Sequence, residues 1–264
     1  MRSTIKKFLT QKPIMNFIFL ITNFIQNVLN YILYITSPIK NNGKVSITFD
    51  DALISVYENA YPIMQKHNVV GNVAVIINEI GNPGYMTLEH LKELQDKGWS
   101  IVSHTMSHPD LKTLDEKKLD YELIESRSFL LDNQFTGFDG FVVPFHHYNK
   151  LAIEKVKEYY SLSRNESLYG MKKLGRFGIY FAQKQPLQAK HELRSLPIAD
   201  FYKVNQGLTK IRSYIKYCIK SNKFADLYTH GLNKSDIASF EKVIQTISKF
   251  PNANISYNVF LNIP

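Results

Sequence analysis

Cysteine is almost absent from this chain of 264 residues, and the one cysteine present, Cys218, has no partner for an internal disulfide. A fold held together by disulfides is therefore excluded. A lone thiol in an apolar, helix-like stretch behaves as a small hydrophobic side chain, so we interpret Cys218 as a packing residue rather than a nucleophile. The lack of disulfides does not identify a compartment, since many exported domains also lack them.

Dense basic clusters are also absent, although the formal net charge is +9. The lysines are scattered, and the chain contains neither basic residues interleaved with aromatics nor a zinc-finger or RNP-like pattern. We therefore expect no nucleic-acid partner, while attraction to an anionic membrane surface or polymer stays open. Internal repeats and low-complexity linkers are lacking too, and the length suits one large domain with an extension.

The first 43 residues differ from the rest of the chain. Basic residues precede an uncharged, largely apolar stretch at 14–37, long enough for a membrane span of about 20 residues. Its asparagines share one helical face, which suits an amphipathic helix lying on a membrane equally well: Asn16, Asn23, Asn27 and Asn30. No small-residue cleavage site is evident, which argues against a removed signal peptide. We predict a helical extension over residues 1–43 that associates the protein with a membrane of the cell envelope, on a side that the sequence leaves open.

Beyond residue 43, hydrophobic segments with the length of buried strands alternate with amphipathic helical segments. The predicted strands are 44–48, 69–77, 99–103, 140–143, 160–164, 192–198, 224–229 and 255–262. Such alternation is typical of a parallel α/β architecture. We therefore predict one catalytic domain over residues 44–264, an α/β fold built as a distorted or incomplete (β/α)7-type barrel.

Polar side chains follow these predicted strands at the point where each strand ends. Asp50 and Asp51 come after the first strand, and His104 and His108 after the third. Later strands are followed by further candidates: Pro144, Phe145, Asp200 and His230. The carboxyl ends of barrel strands share one face, where such folds build their active sites. We expect these residues to converge on that face.

Asp51, His104 and His108 form a candidate metal-binding set of one carboxylate and two imidazoles, which leaves positions open for water and substrate. The same set suits non-haem iron, so it identifies neither the metal nor the reaction. Asp50 beside it is free to act as a base on metal-bound water, and His230 to protonate a leaving group. Base, metal and acid together indicate hydrolysis.

Each of these patterns has a simpler interpretation when taken alone. An Asp-Asp pair after a strand is more often a helix cap or a solvated turn. A His-x-x-x-His pair is more often not a metal site, and a lone histidine such as His230 is usually structural. The occurrence of all of them, in order and on one face, is what favours a metal-dependent hydrolase.

Four segments resemble, in order, the signature segments of the polysaccharide deacetylases, the NodB-homology group of carbohydrate esterase family 4. They are Thr48-Phe49-Asp50-Asp51, His104-Thr105-Met106-Ser107-His108-Pro109, Val143-Pro144-Phe145 and Leu227-Tyr228-Thr229-His230. The resemblance covers about residues 44–264. It implies a distorted barrel and a divalent ion, usually Zn²⁺, held by Asp51, His104 and His108. It also implies that Asp50 is the base and that His230 protonates the departing amine.

The resemblance further implies that the backbone N–H of Phe145 stabilises the oxyanion that forms when water attacks an acetamide carbonyl. We expect the neighbours of Phe145 to lie at the oxyanion and substrate side of the site: Pro144, His146 and Tyr148. The family has an Asp-aromatic segment that orients the catalytic histidine, and Asp200 occupies roughly that place.

The chain departs from the family pattern at three positions. Ala52 and His146 stand where the family often has glycine, and Val142 stands where it often has an arginine that contacts the base. Because such a cation helps to keep the base ionised, we predict that Arg194, at another strand, replaces it. The alternative is that Arg194 is a surface or ion-pair residue.

These observations predict an enzyme that removes N-acetyl groups from a GlcNAc-type glycan or a lipid-linked sugar of the cell envelope. One alternative is a related deacylase that acts on O-acetyl or formyl groups. The other is a catalytically impaired, membrane-attached carbohydrate-binding protein, which the missing arginine at Val142 keeps open.

Overall fold

The structure, a computed structural model, describes residues 42–167, 190–191, 193–199 and 207–261. The predicted extension therefore lies outside the described residues apart from positions 42 and 43, and Asp200 lies outside them as well. Over the described ranges, none of the helices has the length and apolar character needed to cross a membrane.

The described strands form a closed barrel in which neighbours around the ring follow one another in the chain. They are β1 (Lys44–Phe49), β2 (Asn72–Val75), β3 (Ser100–Ser103), β4 (Gly140–Val142), β5 (Leu162–Ser167), β6 (Leu193–Pro197) and β7 (Phe224–Thr229). All pairs are parallel, and β1 closes onto β7 along its whole length. The predicted (β/α)7 architecture is confirmed, as a closed ring.

Helices cover the outside of the barrel, and the last one packs against the end where the strands begin. They are α1 (Tyr61–Lys66), α2 (Leu88–Asp96), α3 (Glu116–Asp120), α4 (Ser126–Asp132), α5 (Lys150–Tyr159), α6 (Gly207–Lys220), α7 (Ile237–Ser248) and α8 (Tyr257–Leu261). A π-helical turn, Val56–Ala60, leads into α1, and another, Tyr121–Glu125, joins α3 to α4. The side chain of Thr87 caps α2 by accepting the backbone N–H of His90.

All six residues of β7 are buried, as expected of a strand covered on both faces, although two of them, Asp226 and Thr229, are polar. The main core lies between the barrel and the helices, where the Phe49 ring stacks on Trp99 at a centroid distance of 5.6 Å. Polar side chains such as Asn72 and Asp226 are buried within the strands, and the candidate site lies at the face where the strands end.

The last predicted strand, 255–262, is wrong, because residues Tyr257–Leu261 form helix α8. With β1 already paired to β7, the ring offers no free edge to another strand. The apolar residues Ile255, Tyr257 and Phe260 instead pack with Phe224 at the end of the barrel where the strands begin. The backbone N–H of Tyr257 donates to Asn72 Oδ1, at the first residue of β2.

Candidate metal centre and catalytic site

Three side chains from two strand ends meet at the carboxyl face of the barrel. Asp51 follows β1, while His104 and His108 lie on the loop after β3. The Nε2 atoms of the two histidines are 3.1 Å apart, and Asp51 Oδ1 lies 3.5 Å from Nε2 of His104 and 3.6 Å from that of His108. These residues, predicted as ligands, are thus brought together with one donor atom each pointing at a common centre.

The ring of His104 is oriented and its tautomer is set by the neighbouring strand. Its Nδ1 lies 2.7 Å from the backbone carbonyl oxygen of Val142, so Nδ1–H donates there and Nε2 keeps its lone pair for the centre. Burial lowers the pKa of His104 to about 3, which keeps the imidazole neutral at physiological pH. A neutral imidazole with a fixed Nδ1–H is the form in which histidine binds a metal ion.

The geometry fits one tetrahedral divalent ion. Ligand atoms about 2.0–2.1 Å from such an ion are separated from each other by about 3.3 Å, close to the three distances observed. Asp51 Oδ1 is buried and has no hydrogen-bond partner among the described residues, as expected of an atom that needs a cation. The residues present therefore fit a zinc-type site, and the same donor set also accepts other first-row ions.

Backbone strain is concentrated at this site. Nine non-glycine residues in the described part of the chain have positive φ, and six of them lie around the site: Asp51, Ala52, Thr105, His108, Phe145 and His146. Such conformations cost on the order of 1–3 kcal/mol each and persist only where the surroundings enforce them. Ala52 (φ 58°) and His146 (φ 57°) occupy positions where the resembled family often has glycine, which adopts this region freely.

Asp50, the predicted base, is buried beside the triad and is held by an arginine. Arg164, in strand β5, donates from Nη2 to Asp50 Oδ2 at 2.5 Å, and its side chain is fully buried. Burial alone would raise the pKa of Asp50, but the charge of Arg164 and its hydrogen bond to the carboxylate outweigh burial, and the pKa is lowered. The second oxygen, Asp50 Oδ1, is buried without a hydrogen-bond partner among the described residues, so it is free to accept a proton.

The prediction that Arg194 supplies this cation is wrong. Arg194 is half-exposed, and its Nε pairs with Glu166 Oε2 at 2.6 Å, which corresponds to the ion-pair alternative. Val142 and Arg164 are direct neighbours in the register of β4 and β5. The cation expected at position 142 of β4 is therefore supplied by Arg164, at the adjacent position of β5.

Arg164 is surrounded by further buried polar groups inside the barrel. Its guanidinium lies 4.6 Å from the centroid of the Tyr228 ring. Asp226, in β7, is also fully buried, and its Oδ2 accepts from Ser195 Oγ at 2.5 Å and from Tyr257 Oη at 2.8 Å. Burial raises the pKa of Asp226 to about 6, although the charge of Arg164 opposes this shift.

The loop after β4 borders the metal triad. Pro144 is buried and begins a 3₁₀ turn, Pro144–His146, and the exposed ring of Phe145 contacts that of His108 at a centroid distance of 4.4 Å. His146 Nε2 lies 3.4 Å from Tyr228 Oη. Burial and the charge of Arg164 lower the pKa of His146 to about 4, so this ring is neutral beside the site.

The remaining predicted residues are divided between the site and its surroundings. His230 follows β7, is exposed at the same face, and acts electrostatically on the carboxyl groups of Asp50 and Asp51. Tyr148 Oη donates to Glu166 Oε1 at 3.3 Å, which places it with the Glu166–Arg194 pair. Asp200 lies outside the described residues, so its predicted role is untested.

Among the described residues, three buried charged side chains near the site escape prediction from the sequence: Arg164, Asp226 and Glu122. Each lies inside a strand or helix rather than after a strand end, and none belongs to a resembled segment. One signal was available for Arg164, because it is a charged residue within an otherwise buried strand, and such a residue requires a partner. The sequence offers no comparable sign of which residue that partner is.

Comparison with known proteins agrees with this geometry. Residues 38–160 match the model of the family described as polysaccharide deacetylase. The chain is 36% identical over 104 residues to YxkH of Bacillus subtilis, provisionally named a polysaccharide deacetylase, a match that covers 39% of this chain and 37% of that protein. It is 28% identical over 160 residues to the poly-β-1,6-N-acetyl-D-glucosamine N-deacetylase of Staphylococcus epidermidis, covering 55% of this chain and 52% of that protein.

These matches span about half or less of the length of the curated relatives. Solved structures share the fold over more of the chain. The Xyl-CE4 domain of a multidomain xylanase from the hindgut metagenome of Trinervitermes trinervoides superposes with a TM-score of 0.58 at 13% identity, covering 83% of this chain and 90% of that domain. The chitin deacetylase of Colletotrichum lindemuthianum gives 0.57 at 15% identity, covering 86% and 91%.

The family match includes the segments that carry Asp50, Asp51 and both histidines of the triad, and the barrel is the one seen in the superposed structures. Both of the curated relatives carry the names of deacetylases, which agrees with the hydrolase class predicted from the sequence. Residues 38–160 of this chain are thus similar to the polysaccharide deacetylase family, over the segment that contains Asp50, Asp51, His104 and His108.

Proposed function

We propose that this protein is a divalent-metal-dependent N-deacetylase that releases acetate from an N-acetylated amino sugar in a glycan. The observation that carries the proposal is the convergence of Asp51, His104 and His108 beside a buried carboxylate, Asp50, which Arg164 holds in its ionised form. A metal-binding triad with an adjacent ionised base provides the groups that amide hydrolysis needs at neutral pH.

Asp51, His104 and His108 would hold the ion, and we propose Zn²⁺ because two imidazoles and one carboxylate are a zinc donor set. When bound, such an ion lowers the pKa of water and polarises an acyl oxygen. Asp50 Oδ1, unpartnered among the described residues, accepts the proton that the attacking water loses. Arg164 holds Asp50 Oδ2 by a charge-assisted hydrogen bond, which leaves Oδ1 as the acceptor.

The leaving amine needs a proton, and His230 at the same face is the group we assign to deliver it. The backbone N–H of Phe145, on the turn that contacts His108, is the donor we assign to the developing oxyanion. One water is consumed, the C–N bond of the acetamide breaks, and the products are acetate and a free amine. Asp50 takes up one proton, and His230 releases one.

The substrate class rests on the relatives and on the shape of the site. One relative is named for the deacetylation of poly-β-1,6-N-acetyl-D-glucosamine. The Phe145 ring is 56% exposed at the rim of the site, and exposed aromatic faces suit sugar rings. We propose a GlcNAc-type glycan of the cell envelope, or a lipid-linked precursor of one, as the substrate.

Mass spectrometry across a substrate panel tests this proposal. The purified protein, loaded with Zn²⁺, is incubated with oligomers of β-1,6-linked and β-1,4-linked N-acetylglucosamine, with peptidoglycan fragments, and with O-acetylated and N-formylated analogues. Loss of acetyl from an N-acetylated oligomer, abolished by chelation and restored by Zn²⁺, is the expected result. Turnover of the O-acetyl or formyl analogues alone would support the alternative deacylase, and a protein that binds no divalent metal would contradict both.

We also propose that residues 1–43 associate the protein with a membrane of the cell envelope. Support comes from the sequence, where an uncharged stretch at 14–37 follows several basic residues. Fractionation of cells that express the full chain is the test, with carbonate extraction to separate a spanning segment from one that lies on the surface. Recovery of the protein in the high-speed supernatant before extraction would contradict the proposal.

A further inference from the structure

The loop that carries both histidine ligands is held in an unfavourable conformation. Thr105 has φ 73° and His108 has φ 59°, and neither residue is a glycine. His104 and His108 point their Nε2 atoms at a common centre only while this loop keeps its shape. Some part of the surrounding structure must therefore enforce the conformation.

The hydrogen bonds of the loop's backbone N–H groups enforce this conformation. The N–H of His104 donates to Val75 O, within the barrel, and the N–H groups of Thr105 and His108 donate to nearby hydroxyl oxygens, Ser103 Oγ and Thr105 Oγ1. Both central N–H groups, those of Met106 and Ser107, donate to one distant atom. Every donor of the loop is thus satisfied, and two of them depend on a single side chain.

That atom is Oε2 of Glu122, 2.9 Å from each of the two nitrogens. The other oxygen, Oε1, accepts from Ser107 Oγ at 2.5 Å. The Glu122 side chain is 6% exposed, so the three hydrogen bonds form away from water. A carboxylate has acceptors only, which matches a loop that presents two N–H groups and a hydroxyl.

The helical segment that carries Glu122 is itself distorted and anchored at this point. Glu122 lies on the π-helical turn Tyr121–Glu125, and π-turns recur at functional sites. Its backbone carbonyl accepts from Ser126 Oγ at 2.6 Å, and Ser103 Oγ donates to Ser126 Oγ at 2.9 Å. The π-turn is thereby tied to the end of β3, immediately before the first histidine ligand.

We propose that Glu122 is a positioning residue for the metal centre: it holds the 104–108 loop so that both imidazoles face one ion. This inference rests on the proposed function in one respect, the binding of a divalent ion by Asp51, His104 and His108. Glu122 itself touches neither the ion nor the substrate in this role. Removing it is expected to leave the ligands present but the site poorly organised.

Metal affinity, rather than activity, provides the test. The dissociation constant of the full-length protein for Zn²⁺ is measured by competition with a chromophoric chelator, and the Co²⁺ absorption spectrum reports the coordination geometry. E122A should weaken Zn²⁺ binding by about 10–100-fold, as loss of residues that support metal ligands typically does. E122Q should stay within about threefold of the wild type, because its amide oxygen accepts both backbone N–H groups while its amino group donates to Ser107 Oγ.

D120N is the matched control, because Asp120 lies on the same helical segment and pairs with Lys155 and Tyr159 instead of the loop. It should lower the urea midpoint of the metal-free protein without changing the Zn²⁺ affinity. Should E122A not fold, E122D carries the test, since it keeps the charge but is one methylene too short to reach the loop. A loss of less than tenfold in the folded variant, or an equal loss in D120N, overturns the inference. Failure of the wild-type protein to bind Zn²⁺ would instead overturn the proposed function.

Discussion

Asp50 and Asp51 are adjacent in the chain but point to different partners. The left-handed φ of 72° at Asp51 turns its carboxylate toward the two histidines, while Asp50 points into the barrel toward Arg164. Each carboxylate keeps one buried oxygen without a hydrogen-bond partner among the described residues. The unpartnered oxygen of Asp51 faces two neutral imidazoles, as a ligand does. That of Asp50 belongs to a carboxylate already held by a cation, as a base does.

Substitutions of Asp50 and of the two histidines should distinguish the base from the metal ligands. D50N should lower kcat by about 10²–10⁴-fold, because general-base catalysis is lost, while the protein still binds one equivalent of Zn²⁺. H104A and H108A should each lose the metal itself. Metal content by inductively coupled plasma mass spectrometry, together with acetate release, measures both effects. Equal metal loss in all three variants would show that Asp50 is a ligand and that this division of roles is wrong.

At the scale of elements, the main departure from the family pattern is that the arginine beside the base lies on a different strand. The resembled family often supplies the base-contacting cation from the position of Val142 on β4, and this chain supplies it from Arg164 on β5. The two positions are register partners in a parallel pair, so their Cα atoms lie side by side. A long, flexible arginine reaches the same carboxylate from either strand.

Moving the arginine back by one strand tests this explanation. R164V should destabilise the protein by about 3–5 kcal/mol, because it leaves the Asp50 charge buried and unpaired. It should also shift the acid limb of kcat/KM to higher pH, since Arg164 lowers the pKa of Asp50 and the base must be ionised to act. V142R/R164V should regain at least tenfold in kcat over R164V, as measured by acetate release and urea unfolding.

R194M is the control for this experiment, because Arg194 pairs with Glu166 near the surface. Its kcat should stay within about twofold of the wild type, as expected for a partly exposed ion pair. The explanation fails if R194M loses as much activity as R164V, or if the double variant is no better than R164V alone.

At the scale of the whole molecule, the barrel interior contains a costly buried charge at Asp226. Its pKa is raised from 3.8 to about 6, chiefly by burial. A carboxyl whose folded pKa lies above its unfolded pKa destabilises the fold as pH rises between those two values, and the full penalty is present above the higher one. For this shift the penalty is on the order of 3 kcal/mol at pH 8, and it disappears toward pH 4.

D226N should therefore stabilise the protein at pH 8 by up to about 3 kcal/mol, and the gain should shrink as pH falls through 6 toward 4. An asparagine oxygen still accepts from Ser195 and Tyr257, so the hydrogen bonds of Asp226 are kept. Urea unfolding at several pH values measures the difference from the wild type. D132N, at an exposed carboxyl, is the control and should change little. A gain that does not depend on pH would contradict this account of the buried charge.

Much of the fold was predictable because the signals were local. Strand–helix alternation indicates a parallel barrel wherever it occurs, and closing the ring requires only that β1 pair with β7. The exception is residues Tyr257–Leu261, whose apolar sequence suits a strand or a buried helix equally. The outcome depended on whether the barrel had a free edge, and a short apolar segment carries no information about that.

The candidate site also contains residues that were predictable from the sequence and contacts that were not. The sequence by itself predicted Asp50, Asp51, His104 and His108, because they follow predicted strands whose carboxyl ends share one face of a parallel barrel. Only the tertiary structure decided that Arg164 rather than Arg194 meets Asp50, and that Glu122 holds the histidine loop. The physical reason is that a buried charge is satisfied by whichever opposite group the strand register and helix packing bring within hydrogen-bonding distance, and that choice is made between residues far apart in the chain.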